Sequence, residues 1–351
     1  MVAKTFRFVI GISLALGLIY ITLESTGGNI WTEILQAQKH VLLPALLFHG
    51  FTISIVSFRW NLLLKVQQIN LGVWDLIRLT TTGLFFNLAI PGAVGGDIIK
   101  FALLCRQTGD KKAESFLTVA LDRAIGLLGL FIVATIAILL SLPFLLALDQ
   151  KYRPLQIAAF IVGSGSIAGI FAIALMEFRQ ALMGFSPIAK IVMYGERKLP
   201  GLVVTTIKRL VEALKLYRHN RSLILLAIAL SVLIHSCLAL NLFLIGKSLG
   251  ENALRLHDYF LVVPIANAFA AIPVTPAGIG TRDAIVAMFL SAMKVPIEKA
   301  GIIPVVATLI ILFWGLIGGI IFAFSKVPRT NDKVQRLLNR KDLVVTGLEV
   351  K

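Results

Sequence analysis

Six stretches of this chain are apolar over close to 20 residues or more: Phe6 to Leu23, Val41 to Leu64, Ala113 to Leu142, Leu155 to Met176, Ser222 to Ile245 and Gly301 to Phe324. A hydrocarbon layer about 30 Å thick takes helices of that length, and it has no water to satisfy a bare backbone, so an open sheet or a loop cannot cross it. The chain is therefore expected to be an all-α polytopic membrane protein. At 58% hydrophobic residues it carries more apolar surface than a soluble core of 351 residues can bury. A net charge of +16 would suggest nucleic acid in a soluble protein; here it reports topology instead, because Lys and Arg gather in cytoplasmic loops. No nucleic-acid partner is expected.

Two further stretches are apolar but cannot be ordinary spans. In Asn87 to Lys100, NLAIPGAVGGDIIK, Pro91 and the glycines Gly92, Gly95 and Gly96 interrupt helical pairing in mid-run. The second, Ile272 to Phe289, IPVTPAGIGTRDAIVAMF, repeats the pattern with Pro276, Gly278, Gly280 and then Asp283 in the place of Asp97. Each reads as the tip of a re-entrant, broken hairpin. Basic residues stand before the first hairpin (Arg59, Lys65, Arg78) and after it (Lys111, Lys112), which puts both its ends on the cytoplasmic side. The second hairpin, within Tyr259 to Met293, follows a charge-neutral segment suited to the outside.

The expected fold is six full spans plus two re-entrant hairpins in a single membrane domain over residues 1–325. Residues 41–142 and 222–324 form inverted repeats, and 326–351 is a basic cytoplasmic tail. Residues 177–221 form a basic, amphipathic cytoplasmic connector with Val203, Ile207, Leu210, Val211, Leu214 and Tyr217 on one face. With Arg59 assigned to the inside, the 34 basic residues divide into 25 inside, 7 outside and 2 at membrane depth, Arg123 and Arg282. Both termini are then cytoplasmic, in the cell membrane. An eight-span arrangement, with each hairpin crossing fully, is the alternative. Lys4 and Arg7 before the first run also fit a signal peptide, but no small-x-small cleavage site follows, and a retained first helix is expected.

Irregular backbone at membrane depth occurs where protein buries it or a polar cavity solvates it. Two such breaks predict a shared cavity, toward which Gly96–Asp97 and Thr281–Arg282 each open a half-helix whose N-terminal N–H groups suit an anion. Against this stands the reading that the glycines only permit close helix packing. Arg123 lies 11 residues beyond Lys112, roughly 16 Å deep. An arginine there needs a carboxylate, water or an anion. The carboxylates are Asp97, Asp122 and Asp283. Asp122 adjoins Arg123 on one helix and points about 100° away, so Asp97 is the expected partner of Arg123, and Arg282 is expected at the headgroup. Counting Lys100, three cations balance three anions. His49 and His235 read as packed residues; Cys105 and Cys237 form neither a disulfide framework nor a metal-ligand spacing. No metal or cofactor is expected, and no hydrolase, zincin or phosphate-loop motif is present.

NLAIPGAVGGDIIKFALL, then LDRAIGLL at Leu121 to Leu128, then IPVTPAGIGTRDA resemble the lysylphosphatidylglycerol synthase transmembrane-region family, also called flippase-like or UPF0104 membrane proteins. The similarity covers residues ~10 to 325. The family's motifs are N-x-x-x-P-G-G-x-G-G-D-x-x-R, D-R-x-x-G and P-x-x-P-G-G-x-G-x-R-E. The chain agrees at Asn87, Pro91, Gly92, Gly95, Gly96, Asp97, Asp122, Arg123, Gly126, Pro273, Pro276, Gly278, Gly280 and Arg282. It departs at Ala93, Ala277, Lys100 for arginine and Asp283 for glutamate. Lysine keeps the charge of arginine and loses its planar fork. The resemblance implies a flippase for an anionic, zwitterionic or aminoacylated phospholipid, or a polyprenyl-phosphate-linked lipid. Its substrate site would comprise the two hairpin motifs with Asp122 and Arg123. Fused family members carry a soluble C-terminal synthase domain. This sequence continues only about 27 residues past its last predicted span, too few for such a domain, so aminoacyl transfer is not expected of it. The alternatives are a membrane-embedded transferase acting on a lipid headgroup and a non-transporting partner of a separately encoded lipid-modifying enzyme.

Overall fold

The computed structural model describes residues 30–89, 95–183, 216–217, 219–272 and 275–325, and these are helical with no strand among them. The helices are α1 (Ile30–Gln36), α2 (Lys39–Val66), α3 (Val73–Ala89), α4 (Gly95–Thr108), α5 (Lys112–Leu140), α6 (Leu142–Leu146), α7 (Arg153–Met183), α8 (Arg221–Ser248), α9 (Leu256–Ala270), α10 (Thr281–Ala292) and α11 (Ile297–Phe324). Five of them are long and apolar enough to cross a membrane: α2, α5, the run Gln150–Phe171 that holds the start of α7, α8 and α11. Only 22 to 39% of each apolar window is buried within the protein, so lipid must cover the remainder. Leu43, Leu47, Phe51 and Phe58 on α2 are such outward residues. The chain is a multi-pass helical membrane protein. The predicted first span, residues 184–215 and 218 of the predicted connector, and the tail lie outside the described residues; residues 177–183, expected to begin the connector, continue α7 instead.

The four remaining long elements come in two pairs, α3 with α4 and α9 with α10, each joined through a break at a predicted hairpin tip. Within the first pair, Leu76 and Leu79 pack with Leu103 and Leu104, while Gly83 faces Gly96 and Lys100. Numbers rise on one helix as they fall on the other, so α3 and α4 run antiparallel. Their open ends lie together: Lys111, before α5, donates to the carbonyls of Gln67 and Gln68, after α2, at 3.2 and 3.0 Å. For the second pair the connection is Lys299 Nζ to the Gly250 carbonyl at 2.7 Å.

α2 and α8 are antiparallel neighbours. Gln38 N–H donates to the Ser248 carbonyl at one end, and the Tyr217 hydroxyl donates to the Leu63 carbonyl at the other. The open end of α3–α4 therefore lies at the Leu63 end of α2, and that of α9–α10 at the opposite end, about 40 Å away for a 28-residue helix.

The two units, α2 to α5 and α8 to α11, pack reciprocally. α3 lies on α11 as α9 lies on α5, and α2 lies directly on α8. The reciprocity reaches single residues. Arg59 and Asn241 are each the twenty-first residue of a 28-residue helix, and His49 and Ser231 each the eleventh. Arg59 hydrogen-bonds Ser231 Oγ, while Asn241 Nδ2 donates to the Ala45 carbonyl of α2 at 2.7 Å, so the position is shared and the partner is not. Asp97 and Asp283 are each third in a half-helix, and Arg123 and Thr308 each twelfth in the following span. Arg123 pairs with Asp97, and Thr308 donates to Asp283.

Arg59 corrects the charge count made from sequence. It lies inside α2, 6% exposed, and not among the cytoplasmic loop residues.

Candidate functional site

α3 and α4 approach so closely that a Cβ on Gly96 would fall on the Gly83 carbonyl oxygen. Glycine removes that collision, and the Gly96 N–H donates to Asn87 Oδ1 at 2.7 Å, so Asn87 satisfies one of the unpaired amides at the start of α4. This fixes the first turn of α4, from which Asp97 and Lys100 project. Gly95 opens the helix and is buried; Pro91 and Gly92 lie outside the described residues.

Asp122, on α5, is the centre of the charge cluster. Arg59 Nε donates to its Oδ1 at 2.9 Å and Lys100 Nζ to its Oδ2 at 3.5 Å, all three groups being buried. Lys100 also sits 3.7 Å over the Trp60 ring, a cation–π contact. The second guanidinium edge of Arg59 donates to Ser231 Oγ at 3.0 Å and lies against Gly126, where a side chain would press on it. His235 meets the Gly126 carbonyl at 3.0 Å. Arg123 turns the other way, as its 100° offset from Asp122 requires, and reaches Asp97 at 3.6 Å. That pair is looser and more open, with side chains 35% and 25% exposed.

The second break is built differently. Pro276 to Gly278 make a single 3-10 turn, Gly278 packs on Ala270, and Gly280 precedes α10 with a φ of 85° and open space around it. Gly280 is thus required for its backbone angle rather than for clearance. Asp283 accepts from the Gly280 N–H at 3.2 Å, capping its own helix, and also binds Arg282 at 2.9 Å. Thr308 on α11 closes the set, donating to Asp283 and accepting from Arg282. Arg282, expected at the headgroup, is held by Asp283 and Thr308 and also lines the cavity.

One cavity of about 440 Å³ lies where the units meet. Asn87, Asp97, Lys100, Asp122, Arg123 and Arg282 line it, six of the residues expected from sequence. Gly96, Gly278, Gly280 and Asp283 are not on its wall. Sequence reasoning missed four residues on the wall: Arg59, His49 and His235, the last two read as ordinary packing residues, and Asn241. A charge inside the 28-residue run of α2 was the available signal for Arg59. Counting Asp283 with Arg282, the lining holds four cations and three carboxylates, where the sequence tally had three of each. A cavity with one surplus positive charge and a guanidinium at its open pair suits an anion.

The chain matches the family described as lysylphosphatidylglycerol synthase TM region over residues 8–319. A UPF0104 membrane protein of Pyrococcus horikoshii is 28% identical over 306 residues, which cover 82% of this chain and 88% of that one. A UPF0104 membrane protein of Methanocaldococcus jannaschii is 21% identical over 94% of both chains. Another, of Methanothermobacter thermautotrophicus, is 22% identical over 82% of this chain and 85% of its own. The match over residues 8–319 takes in both breaks, the charge cluster, four of the five described spans and most of the fifth, and the chain belongs to the lysylphosphatidylglycerol synthase transmembrane-region family.

Proposed function

We propose that the protein moves a phosphate-bearing membrane lipid between leaflets, the headgroup passing through the central cavity while the tails stay in the bilayer. The observation that carries this reading is the meeting of two broken helix pairs, open at opposite ends of the bundle, at one charged cavity. In this reading both pairs are re-entrant. Their helices of 17, 14, 15 and 12 residues are about 25, 21, 22 and 18 Å long, each short of the hydrocarbon thickness. The units then act as inverted repeats, one opening to the cytoplasm and the other outward, in the cell membrane with both chain ends inside. The family's description, which names a lipid synthase's membrane region, agrees with a lipid substrate. The headgroup leaves chemically unchanged, and movement follows the lipid or ion gradient.

Reconstitution tests it. The purified protein goes into vesicles with headgroup-labelled phospholipids and a polyprenyl phosphate, and an impermeant quencher reads the outer leaflet. Movement at least tenfold above protein-free vesicles is expected for one class or more. Quenching that stops at the outer-leaflet fraction for the whole panel overturns the proposal, and a headgroup altered by the protein would favour a transferase.

A further inference from the structure

We infer that the cavity selects headgroups of net negative charge and disfavours cationic, aminoacylated ones. This rests on the proposed lipid route and names its substrate class. The basis is how the carboxylates are committed. Asp122 is shared by Arg59 and Lys100, Asp97 is held by Arg123, and Asp283 by Arg282 and Thr308. No carboxylate on this wall, among the described residues, is left for an ammonium group, and Asp122 offsets only one of its two cations. The other titratable side chains facing the cavity, His49 and His235, can add positive charge only. Arg59, Lys100 and Asp122 are buried, and charge set among buried groups is screened less than charge in bulk water.

The surplus belongs to one unit. At the register positions of Arg59, Lys100, Asp122 and Arg123, the second unit has Asn241, Val286, Ala307 and Thr308, all neutral. An entering phosphate therefore finds its attraction beside α4 and α5. There the Arg123–Asp97 pair is the loosest, and its guanidinium can present two N–H groups to phosphate oxygens. A lysyl-ester headgroup brings two ammonium groups with its one phosphate, and the same surplus repels it.

The test uses the full-length protein in detergent with dihexanoyl phosphatidylglycerol, dihexanoyl phosphatidylcholine and the lysyl ester of the first, affinity being read from the shift in melting temperature. The anionic lipid should bind at least tenfold tighter than the lysyl ester, the zwitterion between them, and salt should shrink the gap. Equal or tighter binding of the lysyl ester overturns the inference, as does a melting temperature that no lipid moves. Lys100→Gln, which leaves Asp122 with Arg59, should cut the preference to threefold or less, whereas Lys100→Arg should keep it. A tenfold preference surviving in Lys100→Gln would overturn the assigned origin. The same lipids in vesicles separate the two ideas: charge-ordered binding without movement supports the selection and sinks only the transport reading.

Discussion

Asp122 touches two buried cations through its two oxygens, and its loss should be felt more than the loss of either partner. Asp122→Asn strands both Arg59 and Lys100, and an uncompensated buried charge costs about 3–5 kcal/mol. Arg59→Met leaves the carboxylate with Lys100 and should cost less. The double variant should recover part of the Asp122→Asn loss, as directly coupled residues do. Melting temperatures in one detergent would check this order; a larger drop for Arg59→Met than for Asp122→Asn would refute it. The pairing of Arg123 with Asp97 was legible in the sequence, since helical geometry turns Arg123 away from its neighbour Asp122. Arg59 was not, because a cation seven residues before the end of a helix reads equally as a loop flank, and only packing shows that it turns inward. Nor could the sequence show that Thr308, a span away, would tie Arg282 to Asp283.

The two helix breaks were legible because proline and glycine act locally: α4 and α10 begin at Gly95 and Thr281, beside the residues read as half-helix starts. Which glycine matters for which reason needed the fold. Gly96→Ala would drive a methyl into the Gly83 carbonyl and part α3 from α4, with a loss of about 1–3 kcal/mol and weaker lipid movement. At Gly280 there is room, but a β-branched residue resists a φ of 85°. Gly280→Val should therefore cost about 1–3 kcal/mol, and Gly280→Asn clearly less, because asparagine visits positive φ more readily. Thermal unfolding and membrane abundance would measure the series. Equal stability of Val and Asn at position 280 would show that the angle is not what glycine supplies there.

At the scale of the whole molecule, the loops at the two open ends should face opposite compartments. In a background with Cys105 and Cys237 replaced by alanine, Asp110→Cys and Asn252→Cys place thiols at exposed positions of the first and second mouths. An impermeant maleimide added outside intact cells should label position 252 and spare 110, and inverted vesicles should reverse the pattern. Labelling of both from one side would contradict a two-fold axis lying in the membrane plane. The positive-inside rule is what assigns the compartments, and the labelling tests it, whereas the register that equates Arg59 with Asn241 appears only once the helices have fixed ends. That equivalence, with charge kept in one copy and lost from the other, bears on kinetics. A carrier with no energy source obeys detailed balance, so an off-centre well cannot by itself enrich a lipid in either leaflet. It lengthens the dwell of the headgroup beside α4 and α5 and makes departure from there the slow step in both directions. Such a protein would hasten equilibrium between the leaflets without choosing where that equilibrium lies.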